Sequence, residues 1–259
     1  MANYQNIRVE AAPSGVTRVI IDRPKVLNAL NAATLNELRT ALSSLESTTR
    51  VVVIAGGGEK AFVAGADIAA MAKLSPVEAR DFSRLGHDVL QILEHLPQPT
   101  IAQVQGYALG GGCELLLACD FAIASTKAKI GLPEVSIGVM PGFGGTIRLA
   151  RRVGPGAARQ MMFTAKPMDA EASMRLGLVN EVVEPDQLAA RVDAIAADIV
   201  KNAPHAVAFA KQAARLAEET DLNSAAAYEQ EVFGMCFSTA DQKEGMQAFL
   251  EKRKPNWQG

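Results

Sequence analysis

The chain has little with which to bind metal or to cross-link itself. Its three cysteines (Cys113, Cys119, Cys236) form an odd set without Cys-x-x-Cys spacing, which argues against a disulfide framework or a zinc ribbon. The three histidines (His87, His95, His205) are scattered, and none belongs to a His-Glu-x-x-His pattern. An excess of one charge is also missing. With 26 basic and 28 acidic residues the formal charge is −2, so there is no electrostatic footprint for nucleic acid or an anionic membrane. The longest apolar stretch, residues 108–124, is interrupted by Glu114 and Asp120 and does not read as a membrane span. The opening MANYQNIRVE resembles neither a signal peptide nor a transit segment. A soluble protein of the reducing cytoplasm is the expectation. A P-loop and a Gly-x-Ser-x-Gly elbow are absent, which removes the phosphate cradle or the nucleophile from two common enzyme classes.

What is present is enough apolar material for a large core: 49% of 259 residues are hydrophobic, which suits one large domain or one domain with an extension. Residues 7–11 and 17–21 read as a hairpin around Pro13, Ser14 and Gly15. Leucines at 35, 38, 42 and 45 place an amphipathic helix over 31–45. The β-branched run 51–55 suits a strand buried on both faces. Ser75-Pro76-Val77-Glu78 is a capping box that opens a helix to about His95. Strands are expected at 100–105 and 121–124, with a glycine loop and a short apolar helix, 113–118, between them. The alternation of strand and helix to about Val183 makes the class α/β. Helical periodicity then dominates 186–202, 204–219, 222–237 and 240–254, with a soft boundary near 185–205.

The glycine loops suit more than one role. Gly56-Gly57-Gly58-Glu59-Lys60-Ala61 imitates a dinucleotide fingerprint, but an irregular apolar segment with another glycine follows where a long helix would have to begin. Ala64-Gly65-Ala66-Asp67 and Leu109-Gly110-Gly111-Gly112 each lead into a helix, Asp67 being a candidate cap. Backbone N–H groups at such starts lack intrahelical partners, and two of them converging would form an oxyanion hole. Tight turns and close packing explain the same glycines, and the residues alone leave both open. The carboxylates are similarly open. Glu114 sits in an apolar run at a helix start, and Glu134 in an apolar loop, each readable as an ordinary acid. Two such acids in one water-poor cleft would have separated pKa values, supplying an acid and a base from like residues.

Three strings together carry a family resemblance. Ala61-Phe62-Val63-Ala64-Gly65-Ala66-Asp67-Ile68, then Gly106-Tyr107-Ala108-Leu109-Gly110-Gly111-Gly112-Cys113-Glu114-Leu115, then Leu132-Pro133-Glu134 with Gly138 and Pro141-Gly142-Phe143-Gly144-Gly145-Thr146 resemble the signatures of the enoyl-CoA hydratase/isomerase (crotonase) family. Arg23-Pro24-Lys25-Val26-Leu27-Asn28-Ala29-Leu30 and the segment from Glu244-Gly245-Met246 to Lys254 fit as well, so the resemblance spans almost the whole chain in order.

The resemblance implies a spiral of ββα turns over residues 1–195 and a C-terminal helical region over 196–259 that forms a trimer or a dimer of trimers. It implies an acyl-CoA thioester as substrate and no metal or redox cofactor, coenzyme A being part of the substrate. The N–H groups of Ala66 and Gly111 would hold the thioester oxygen, Glu114 would activate water for the β-carbon, and Glu134 would exchange the α-proton. Substrate contacts are implied for Lys25, Val26, Leu27, Ala64, Ala66, Asp67, Ile68, Ala69 and Gly110. Lys252, with Arg253 and Lys254 at the end of the last helix, would reach CoA on a neighbouring subunit. Helix 76–95, through Phe82, Leu85, Val89 and Ile92, would line the acyl pocket.

Glutamates at both acid positions favour a trans-2-enoyl-CoA hydratase of fatty-acid or related acyl-CoA metabolism. A Δ3,Δ2-enoyl-CoA isomerase and a carnitinyl or branched acyl-CoA dehydratase use the same pair. An RNA-binding member would need a basic stripe, yet helix 76–95 sets only Arg80 and Arg84 against Glu78, Asp81, Asp88 and Glu94. A non-catalytic CoA-binding member would be expected to lose an acid or a loop glycine, and the chain retains both.

Overall fold

A computed structural model describes residues 4–259; residues 1–3, on which part of the expectation about a leader falls, lie outside the described residues. The chain opens with the hairpin β1 (Ile7–Ala11) and β2 (Val16–Ile21), a 3-10 turn (Pro24–Val26) and α1 (Ala32–Ser43). Asn31 starts α1 by accepting from the Thr34 N–H at 2.9 Å. Then a spiral begins. Its first turn is β3 (Val51–Gly56), β4 (Ala61–Val63), α2 (Ile68–Met71) and α3 (Pro76–His95). The second is β5 (Thr100–Val104), β6 (Tyr107–Leu109) and α4 (Gly111–Leu117). The third is β7 (Phe121–Ser125), β8 (Lys129–Gly131), a 3-10 turn (Glu134–Ile137), α5 (Gly145–Val153) and α6 (Pro155–Thr164). After β9 (Met168–Asp169), α7 (Ala170–Arg175) and β10 (Glu181–Val183), four helices close the chain: α8 (Leu188–Val200), α9 (Pro204–Ala217), α10 (Leu222–Cys236) and α11 (Ala240–Leu250).

Each turn gives one strand to a large sheet and the next to a small one. The large sheet has the order β1-β2-β3-β5-β7-β10 and the small one β4-β6-β8-β9. All neighbours are parallel except at the β1–β2 and β8–β9 pairs. The switch between sheets must be tight. At Gly106, between β5 and β6, a Cβ would lie 2.1 Å from the Lys60 carbonyl oxygen. The Gln105 amide beside it donates to the carbonyls of Gly56 (2.8 Å) and Ala61 (2.7 Å), tying this corner to the previous one.

The continuous apolar run of β3 is explained by burial on both faces. Val52 and Ile54 join the main core with Leu35, Leu38 and Leu90, while Val51 and Val53 pack against Leu188, Val192 and Ala196 of α8. Helix α8 thus belongs to the large sheet, and a division at 195/196 falls inside it; the chain leaves the sheet after α8. Beyond that point burial thins out: α9 buries no residue and α10 only Val232.

Two expected boundaries move. Helix α4 begins at Gly111, so Gly111 and Gly112 form its first turn rather than a loop. Helix α11 ends at Leu250, and Lys252 follows in the left-handed region (φ 55°), so the basic triplet does not end the helix. Arg253 folds back to Glu244 at 2.6 Å. The glycine string after β3 leads into β4, with no helix before α2. Among the described residues, no helix is long and apolar enough to cross a membrane.

Candidate active site

A cavity of about 660 Å3 opens where the starts of α2 and α4 meet the chain segment 133–147 and one side of α3. Its first wall, loop 64–67, is held from below by a residue whose side chain is entirely buried. Asn28 adopts a left-handed φ of 61° and donates to the carbonyls of Gly57 (2.9 Å), Ala61 (2.9 Å) and Phe62 (3.1 Å). Asparagine tolerates this backbone better than most residues because its short polar side chain can bond locally. The chain beside it then pairs with the loop: Ala64 N–H to Leu27 O (3.0 Å), Leu30 N–H to Gly65 O (2.8 Å) and Asp67 N–H to Leu30 O (2.8 Å). Ala66 N–H is skipped by this alternation and donates to no protein acceptor among the described residues.

The second wall is the start of α4. Gly110 takes φ 51° and ψ −123°, a conformation open essentially to glycine alone. At Gly112 a Cβ would sit 1.9 Å from the Val63 carbonyl oxygen, so only glycine lets α4 approach β4 this closely. The approach sets Gly111 beside the loop that holds Ala66. As the first residue of its helix, Gly111 offers an N–H with no intrahelical partner. Ala66 and Gly111 both line the cavity.

The acids differ in their surroundings. Glu114 is 1% exposed, and its Oε1 accepts from Phe143 N–H at 2.8 Å and Gly145 N–H at 2.7 Å. Burial pushes its pKa up, while those two donors and the nearby Arg148 guanidinium oppose the rise. Glu134, at the start of its 3-10 turn, is half-buried, and its Oε2 has no hydrogen-bond partner among the described residues. Burial, with help from the negative charge of Glu114, moves Glu134 up to about 7. The two backbone donors favour the charged form of Glu114, and the partnerless Oε2 favours the proton on Glu134. Gly110 lies against Glu134: a Cβ there would be 3.1 Å from Oε1.

The structure gathers Ala64, Ala66, Ile68, Gly110, Gly111, Glu114 and Glu134 around the cavity. It leaves other candidates outside. Asp67 faces away, capping α2 and pairing with Arg23 at 3.2 Å. Ala69 is exposed and off the cavity wall. Lys25 and Leu27 line a second hollow of about 400 Å3 that Lys60 also borders, with Val26 exposed nearby. Lys252 borders neither hollow. Of Phe82, Leu85, Val89 and Ile92 on α3, only Phe82 reaches the cavity; Leu85 faces a shallower groove, and Val89 and Ile92 pack into the core. The wall from α3 is Ala79, Phe82, Ser83 and His87, a more polar face than hydrophobic periodicity indicates.

Sequence reasoning assigned no role to Asn28, Phe143, Gly145 or Arg148. Phe143 and Gly145 act through backbone N–H groups, which side-chain chemistry does not reveal. The available clue was the dense glycine in 142–145, since a chain that presents N–H groups inward needs unusual dihedrals.

Chemically, the site pairs a carboxylate with a carboxylic acid and adds two uncommitted N–H donors. That set can take a proton from one atom, give one to another, and hold an oxygen that becomes negative between the two events.

Comparisons with known proteins agree with this chemistry. A family model described as enoyl-CoA hydratase/isomerase matches residues 11–259. The chain is 48% identical over 256 residues to a crotonyl-CoA hydratase of Syntrophomonas wolfei, covering 98% of each. It is 51% identical over 241 residues to a short-chain-enoyl-CoA hydratase of Clostridium acetobutylicum, covering 92% of each. A crystal structure of an enoyl-CoA hydratase from Bacillus anthracis superposes with a TM-score of 0.95 at 39% identity, over 98% of this chain and all of that one. Matching along nearly its whole length in sequence and in fold, the chain belongs to the enoyl-CoA hydratase/isomerase family.

Proposed function

We propose that the protein is an enoyl-CoA hydratase, adding water reversibly to a short trans-2-enoyl-CoA to give a 3-hydroxyacyl-CoA. The observation that carries this reading is the pair of unlike glutamates on one cavity that also presents two free backbone N–H groups. The relatives named above are hydratases of short enoyl-CoA substrates, which supports the same substrate class.

In the hydration direction, Glu114 as carboxylate takes a proton from water as the oxygen bonds to the β-carbon. The double-bond electrons move toward the thioester, whose oxygen becomes an enolate held by Ala66 and Gly111 N–H. Each such donor contributes ~3 kcal/mol to the transition state. Glu134, holding the proton, delivers it to the α-carbon and is left as carboxylate, while Glu114 is left protonated; one proton then passes back to reset the pair. Every bond is balanced by these groups and water, so the reaction as written draws on no metal or redox cofactor. Dehydration is the reverse path through the same enolate.

Lys25 and Lys60, beside the second hollow, suit the phosphates of CoA by charge. The C-terminal helices carry apolar side chains that one chain leaves in water: Phe249 is 83% exposed, Leu250 76% and Phe233 65%. Such a patch supports association of copies of this chain into a trimer or a dimer of trimers. Lys252, next to that patch in sequence, would then serve a neighbour's CoA. The substrate and cofactor-free chemistry fit a cytoplasmic protein.

The test is loss of the conjugated-thioester absorbance of crotonyl-CoA on mixing with the purified protein. Rapid loss that is slowed by orders of magnitude in both Glu114→Gln and Glu134→Gln supports the two-acid hydratase. No loss, with turnover of a 3-enoyl-CoA instead, would replace it with an isomerase.

A further inference from the structure

The two N–H groups that hold Glu114 come from a turn with a left-handed glycine at its centre. Phe143 and Gly145 flank Gly144, which sits at φ 101°. One guanidinium lies across this turn. Arg148 Nη1 donates to the Phe143 carbonyl at 2.7 Å, and its Nε and Nη2 donate to the two carboxylate oxygens of Glu94 at 2.6 and 2.7 Å. Arg148 also belongs to the first turn of α5, its own N–H bonding the Gly144 carbonyl at 2.9 Å. A Cβ at Gly144 would lie 2.1 Å from Nη1, so glycine there serves both the dihedral and the seat of the guanidinium. Glu94 is near the end of α3, the helix that forms one side of the cavity, and the pair is mostly buried, at 16% and 23% side-chain exposure.

The chain of contacts is therefore α3 to Glu94, Glu94 to Arg148, Arg148 to the Phe143 carbonyl, and Phe143 N–H to Glu114. We propose that Arg148, clamped by Glu94, is a positioning residue that fixes the Phe143–Gly145 turn so that its two N–H groups hold Glu114 in place as the base. Neither Arg148 nor Glu94 is among the residues that border the cavity, so both act through the turn. A planar fork is required because three directional bonds run to two fixed partners; an ammonium cannot make them together. The positive charge has a second effect, favouring the carboxylate form of Glu114 against its burial. The other titratable groups near Glu114 are Glu134 across the cavity and Cys113 beside it on α4, and His87 on α3 lines the same cavity. His87 is held below its ordinary value by burial and by Arg148.

The inference rests on the hydratase reading above, and the experiment separates the two. Steady-state hydration of crotonyl-CoA is measured for wild type, Arg148→Lys, Arg148→Met and Glu94→Gln from pH 5 to 9, with folding checked by thermal melting. The expected result is a kcat lower by ~10- to ~100-fold in both Arg148 variants, the size seen when a partner that orients a reacting group is removed, with KM within about threefold of wild type. Arg148→Met also moves the acid limb of the pH profile upward, and does so again in a His87→Gln background, whereas Arg148→Lys leaves that limb in place. In a Glu114→Gln background, adding Arg148→Met costs less than about threefold, because the residue it positions is already gone. Wild-type kcat in both Arg148 variants, loss confined to KM, or full additivity with Glu114→Gln overturns the inference. Should Arg148→Met fail to fold, Arg148→Lys and Glu94→Gln decide alone, since unchanged kcat in both has the same meaning. A wild-type protein that does not hydrate crotonyl-CoA overturns the hydratase reading and this inference with it; active wild type with indifferent variants overturns this inference only.

Discussion

Replacing Glu134 with glutamine should make the protein a far poorer catalyst and a more stable fold. The substitution keeps size and shape but removes the proton that the α-carbon needs, and general acid–base groups of this kind contribute ~10²- to ~10⁴-fold to rate. The stability gain follows from burial. In the folded chain Glu134 holds its proton up to about 7, against an ordinary value of 4.5. A carboxyl whose folded pKa is raised favours the folded state fully below its unfolded pKa, and that benefit is lost as pH rises through the folded pKa. Above pH 7 the wild type therefore carries a half-buried carboxylate beside Glu114, with one oxygen lacking a partner among the described residues. The glutamine variant carries no such charge. After allowance for solvent reaching a half-buried side chain, the difference is about 1–3 kcal/mol. At about 2–4 °C per kcal/mol for a chain of this size, the variant should melt several degrees higher at pH 8, with the gap closing toward pH 4.5. Trp257, the single tryptophan, bonds the Lys201 carbonyl at 2.8 Å and gives a fluorescence signal for the melt. Melting below wild type at pH 8, or hydration at the wild-type rate, would refute the account of Glu134.

Other outcomes follow from the same geometry. Hydration needs one proton on the acid pair, so kcat/KM should fall above pH 7, about tenfold by pH 8, with an apparent pKa that belongs to the pair. Because the overall reaction takes up no proton, kcat/KM for dehydration of 3-hydroxybutyryl-CoA follows the same limb; a kcat/KM that stays flat from pH 6 to 8 would contradict the shared-proton scheme. Gly111→Pro removes one oxyanion donor at a position where helices accept proline, and kcat should drop ~10²- to ~10³-fold with the fold retained by circular dichroism. Asn28→Ala takes its donor from the buried carbonyls of Gly57 and Phe62, while the Ala61 carbonyl keeps the Gln105 amide, and should lower unfolding free energy by about 2–3 kcal/mol in a urea titration.

Much of the architecture was legible along the chain, because it depends on local signals. The capping box at Ser75 starts α3 where the sequence places it, with Glu78 N–H bonding the Ser75 hydroxyl and Glu78 returning the bond to Ser75 N–H at 2.8 Å. The unbroken apolar run at Val51–Ile54 reads as a strand covered on both faces, and it is one. Helix ends were less legible. Glycines at 111 and 112 read as loop by propensity, yet contact with β4 admits nothing larger at Gly112 in that first turn.

The sequence by itself determined the class of fold, the strands β1, β2, β3, β5 and β7 of the large sheet with the helices α1, α3 and α4 among them, and the two acids with the glycine loops around them, since spacing and residue type survive in one dimension; the three-residue strands of the small sheet are too short to carry a period and read as loop. Only the tertiary structure decided what makes Glu114 and Glu134 unlike. Both are glutamates in apolar stretches; one is met by two N–H groups from a turn some thirty residues away and the other by almost nothing. That difference is electrostatic and arises from backbone dipoles, which belong to every residue and so leave no mark in the alphabet. The same holds for Asn28 and Arg148, ordinary polar residues until folding sets carbonyls around the one and a carboxylate and a turn around the other.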